Sequence, residues 1–129
     1  MTTDTSTWTK RLGYALTGLA ALFFAMDAVM KLLQLPVVLE TTTQLGWSTS
    51  SVVPLAIILL VSTIIYLVPQ TSVLGAILLT AYLGGAVATH ARIGSPLLTH
   101  TLFGVYIGLV MWAGLYLRDP KLRSVFSFR

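Results

Sequence analysis

The chain has 129 residues, of which only 9% are charged and 56% are hydrophobic. A soluble domain carries about 25% charged residues, and a chain this short has too little interior to hide so much apolar surface. A soluble globular protein is thereby excluded in favour of an integral membrane one. The net charge of +4 does not indicate nucleic acid, because the basic residues gather at the two ends of the chain, the pattern that orients membrane proteins. Without cysteine, the chain by itself has no thiolate catalysis, disulfide exchange or cysteine-held metal centre.

Residues 1–9 are polar and rich in threonine, with Trp8 just before Lys10 and Arg11, and read as a mobile tail with an interfacial anchor. The membrane domain is expected over residues 10–118. Its first span covers about residues 12–35, long enough to cross a bilayer at ~1.5 Å per residue. A cleaved signal peptide is the competing account of this run. Its length and the lack of a small-x-small site before Asp27 favour a span that stays. Pro36 ends it, since the residue before a proline disfavours helix.

Residues 36–51 form the longest polar interruption, and Pro36–Leu45 reads equally as a short interfacial helix or a plain loop. The second span covers about 52–68, with Pro54 in its first turn and Ser62-Thr63 in its middle. Hydroxyls of that kind usually bond back to their own helix. Pro69-Gln70-Thr71 is a tight turn into the third span, about 72–91, which is rich in glycine and alanine, residues that let membrane helices approach closely. The fourth, about 97–117, contains Gly104-Val-Tyr-Ile-Gly108, a pattern expected to serve packing within the bundle rather than dimerisation. Residues 119–129 are a basic tail in which Phe126 and Phe128 point to contact with an anionic membrane surface. The fold expected is all-α: an integral membrane four-helix bundle with both termini cytoplasmic by the positive-inside rule. Trp8, Tyr14, Tyr66, Trp112 and Tyr116 then fall near the inner boundary as an aromatic belt.

This topology draws the remaining ionisable residues to the outer end. Asp27 and Lys31 stand four apart on one face of the first span, so they can pair. Charges within a span cost about 2.5–3.5 kcal/mol each and usually face the bundle interior or water. His90 and Arg92 end the third span, His100 begins the fourth, and Glu40 lies in the outer loop. Asp27, Tyr82 and Tyr106 fall at similar depths, roughly 12 to 14 Å below that end. A polar pocket on the outer side follows, with Asp27, Lys31, His90, Arg92, Tyr82, Tyr106 and His100 as candidate ligand-binding residues.

Each has an alternative. Asp27–Lys31 is either a structural ion pair or a site for proton handling. His90 and His100 can ligate a haem, hydrogen-bond a quinone carbonyl, or simply be hydrated at the interface. Arg92 can pair with Glu40 or Asp27, or snorkel to phosphates. Tyr82 and Tyr106 need hydrogen-bond partners at mid-depth. No catalytic triad, metal-binding HExxH or phosphate loop is present.

Four stretches, residues 22–32, Gly75 to Gly94, Phe103 to Gly108 and Leu115 to Pro120, resemble the DoxX-like family of small bacterial four-helix membrane proteins. The resemblance spans about residues 13–123, and the third-span pattern is its most specific part. It implies a bacterial inner-membrane location, with Lys31, His90 and Arg92 at recurrent polar positions. The family takes its name from a subunit of a quinone-linked thiosulfate oxidoreductase, and wider relatives include membrane chaperones and cargo receptors. The expected function is binding of a lipophilic ligand, a quinone being one candidate, in the outer-side pocket, as an accessory or subunit of a membrane redox system. That reading implies redox partner proteins in the bilayer and leaves homo-oligomerisation open; no metal is expected. The alternatives are a stand-alone membrane enzyme of isomerase or cyclase type, with Asp27 or His90 as acid–base group, and a structural or chaperone subunit without ligand. A transporter is disfavoured in so short a chain without an inverted repeat.

Overall fold

The computed structural model describes residues 2–125, with side chains from residue 7 onward. Six α-helices follow one another: α1 Thr2–Leu32, α2 Pro36–Gln44, α3 Val52–Leu67, α4 Ser72–Arg92, α5 Phe103–Arg118 and α6 Pro120–Val125. Short 3₁₀ turns precede α3 and α4, and a π turn over Leu97–Thr101 precedes α5. Four segments are long and apolar enough to cross a membrane: Thr7–Leu32, Thr49–Leu67, Pro69–Arg92 and Leu97–Arg118.

Proline sets the boundaries. Pro36 and Pro120 are the first residues of α2 and α6, Pro54 lies in the first turn of α3, and Pro69 and Pro96 open the turns before α4 and α5. At a helix start the missing N–H removes no bond. Residues 2–9, expected as a tail, are instead the first turns of α1. No proline lies between Thr2 and Leu32, and extending a formed helix is far easier than nucleating one. The segment after the first span is helical over Pro36–Gln44. The basic tail begins as α6, anchored by buried Leu122. Phe126 and Phe128 lie outside the described residues.

Three helices end in one kind of cap. After α1, α2 and α4, the residues Gln34, Gly46 and Gly94 take positive φ (51°, 88° and 73°). In each case the next N–H reaches five residues back, from Leu35 to Met30, Trp47 to Thr42 and Ser95 to His90. This is the Schellman arrangement, which satisfies carbonyls otherwise orphaned at a helix end. It also fixes where the following side chain emerges, and two of those side chains, Trp47 and Ser95, recur below.

The spans pack as α1 on α3, α3 on α4, α4 on α5 and α5 back on α1. Adjacent spans are antiparallel, so both ends of the bundle domain and the α3–α4 turn share one end of the bundle, here the terminal end. The α1–α3 and α4–α5 connections lie at the opposite, distal end. Phe24, Leu59, Leu79, Met111 and Leu115 fill the interior, and leucines and isoleucines such as Leu19, Ile57, Ile64 and Leu109 face outward. The protein is a multi-pass membrane bundle.

The terminal end is the tightly closed one. A Cβ on Gly75 would run into the backbone of Tyr66, so α3 and α4 touch there. Tyr66, expected in the aromatic belt, is fully buried and donates to the Met111 carbonyl at 2.8 Å. The missing side chain of Gly75 is what lets the Tyr66 backbone come so close. Arg118 donates from Nε to Thr17 Oγ1 at 2.9 Å and from its η nitrogen to the Tyr66 carbonyl and Ser72 Oγ, each at 3.4 Å. One α5 guanidinium thereby ties α1, α3 and α4 together, flanked by the rings of Tyr14 and Tyr66. Of the G-x-x-x-G pair, Gly104 packs closely on Leu83 and Val87 of α4, within the bundle.

Candidate functional site

Toward the distal end the helices part around a cavity of about 630 Å³. Its α1 wall carries Asp27 and Lys31. Lys31 Nζ donates to Asp27 Oδ1 at 2.6 Å, and the side chains keep only 18% and 31% of their exposure respectively. The i, i+4 spacing places them one above the other. Lys31 in the last turn also meets the partial negative charge of the α1 C-terminus. A short charge-assisted bond of this kind is among the stronger polar contacts. It consumes one ammonium proton, so two donors remain for other partners.

The facing wall is α4. Tyr82 lines it with its hydroxyl near the Lys31 ammonium. Two turns further on, His90 lines the distal rim. Its Nδ1 is bonded to Ser95 Oγ at 2.9 Å, a contact set by the Schellman cap that carries Ser95 back over the helix end. Ser62 adds a hydroxyl from α3. Its neighbour Thr63 bonds back to the Leu59 carbonyl, as expected for hydroxyls in a span.

The distal roof is α2 with the turn behind it. Trp47 donates from its indole nitrogen to Thr89 Oγ1 at 3.3 Å, and Thr42 is buried beneath α2. Thr41, Thr42 and Thr43 each bond to the carbonyl four residues back, so the hydroxyls of the two that line the cavity, Thr41 and Thr42, are already spent on their own helix.

Of the seven candidate residues, Asp27, Lys31, Tyr82 and His90 come together on this cavity. Arg92, His100 and Tyr106 do not line it. Arg92 reaches neither Glu40 nor Asp27. It donates to the Leu45 carbonyl at 2.9 Å and so pins the end of α2 to α4. His100 stands behind His90, ring centroids 6.0 Å apart and edge to face, with Nδ1 bonded to Thr99 Oγ1. Tyr106 is half exposed and donates to the Leu98 carbonyl, closing the π turn rather than the cavity. Trp47, Thr89 and Ser62 are cavity residues that were not among the candidates. Among the described residues no three His, Asp or Glu side chains converge as a metal site would need.

A membrane-spanning helical bundle with a mostly apolar cavity and a few convergent polar groups has the form of a small-molecule site in lipid. The chain matches the DoxX-like family over residues 15–114 and belongs to it. Comparison with curated proteins and with solved structures gave no match.

Proposed function

We propose that the protein binds a lipophilic ligand with a hydrogen-bond-accepting head, a quinone foremost, in the distal cavity. In this role it serves a membrane redox system of the bacterial inner membrane as an accessory or subunit. The observation that carries this reading is the meeting of the Lys31–Asp27 pair, Tyr82 and His90 on one cavity. These groups are chiefly donors: the free ammonium protons of Lys31, the tyrosine hydroxyl and a ring nitrogen that can carry a proton. A quinone offers two carbonyl acceptors on opposite sides of a flat ring, which suits donors on α1 and α4 facing one another. Asp27 offsets the charge of Lys31, so a neutral ligand meets a neutral site.

The test is purification in a mild detergent, solvent extraction and mass spectrometry of the extract. One quinone per chain, lost in both Lys31→Met and His90→Ala, is the expected result. Bulk phospholipid alone in the wild-type extract would move the protein to a scaffold role.

A further inference from the structure

The cavity is not closed on its α3–α4 side. At the terminal end these helices are in backbone contact at Gly75 and Tyr66, but by Gly85 they have parted, and a Cβ there would meet nothing within 4 Å. The cavity residues along this seam, Ile58 on α3 and Leu78, Ala81 and Gly85 on α4, are all exposed on the outward face of the spans. They carry no polar side chain. The Asp27–Lys31 pair lies on the opposite wall, and the distal end is roofed by α2 and by Trp47, bonded to Thr89. The polar groups are thus deepest as seen from the hydrocarbon, and the opening that faces lipid is apolar and floored by the smallest residues.

We infer that the α3–α4 seam is a lateral port. Through it the ligand's hydrocarbon tail passes into the bilayer while its head stays at Lys31, Tyr82 and His90. This rests on the ligand-binding reading above and adds the class of ligand: an amphiphile drawn from the membrane, with one compact head and a linear tail. A cavity of about 630 Å³ takes such a head and the start of a chain. A longer tail leaves by the seam and remains in lipid. Because the tail exchanges lipid for lipid, affinity resides in the head, and the bilayer supplies the ligand at high local concentration. Gly85 and Ala81 are the residues whose size sets the width of the port.

The full-length protein in lipid nanodiscs tests this with two quinones of one head group, decylubiquinone and its tail-less counterpart 2,3-dimethoxy-5-methyl-1,4-benzoquinone. Binding is read from quenching of tryptophan fluorescence. Gly85→Phe is expected to weaken decylubiquinone binding at least tenfold and to leave the tail-less quinone within about twofold, with thermal stability unchanged. Ala81→Leu provides the same comparison should Gly85→Phe fold poorly. Undiminished decylubiquinone binding in the folded variants overturns the port. If Lys31→Met meanwhile loses both quinones, the cavity reading survives without it. Equal loss of both quinones in the port variants also overturns it, because the new side chain would then occupy the head-group space. Failure of the wild type to bind either quinone overturns port and cavity reading together.

Discussion

Lys31 and Asp27 divide two roles that are usually confounded. Taking a charge into a bilayer is costly, and an ion pair seldom recovers more than its own desolvation. Replacing both partners with apolar residues of similar size is therefore near neutral for stability, or stabilising, whereas removing one leaves the other unmatched. The pair is half-buried at the end of α1 and lines the cavity. Asp27→Leu/Lys31→Leu is accordingly expected to fold with a melting temperature at or above that of the wild type while losing bound quinone. Asp27→Leu alone is expected to melt lower. Thermal unfolding in detergent followed by ligand extraction checks both. A double variant that keeps its ligand would make the pair purely structural.

Among the helices, the caps decide more than the spans. The spans themselves were legible as apolar runs stopped by proline, because bilayer thickness and the missing proline N–H leave the chain few choices. What the sequence left open lay in the connections. Gly46 turns Trp47 back over the cavity, and Gly94 brings Ser95 onto His90, but nothing local announces that these side chains close a site. His100 and Tyr106 were drawn into the candidate site by depth, and Arg92 also by its recurrent polar position in the resemblance; neither says which way a side chain faces after a π turn or a cap. Gln34 occupies the same left-handed position as Gly46 and Gly94, although a side chain there costs about 1–2 kcal/mol. Gln34 is exposed and none of its side-chain atoms is needed to form the cap. Gln34→Gly should raise the melting temperature with no change in ligand content. A lower melting temperature would mean that the flexibility added to the unfolded chain outweighs the relieved strain.

For the whole molecule, the two ends of the bundle differ in packing and in charge. At the terminal end Lys10, Arg11, Arg118, Lys121 and Arg123 outnumber Asp4 and Asp119, and Arg118 is drawn inward to bind three neighbouring helices. At the distal end Lys31 is matched by Asp27, Arg92 is spent on a carbonyl of the α2 cap, and the helices stand apart around the cavity. The excess of unmatched basic residues predicts a cytoplasmic terminal end and a cavity in the outer half of the membrane. The chain has no cysteine of its own, so single cysteines report on this directly. Thr49, in the connection before α3, and Gln70, in the α3–α4 turn, are both exposed and lie at opposite ends. In intact spheroplasts a membrane-impermeant maleimide should label Thr49→Cys, and reach Gln70→Cys only after lysis. The reverse pattern would turn the cavity toward the cytoplasm, and the ligand would then be drawn from the inner leaflet through the same α3–α4 seam.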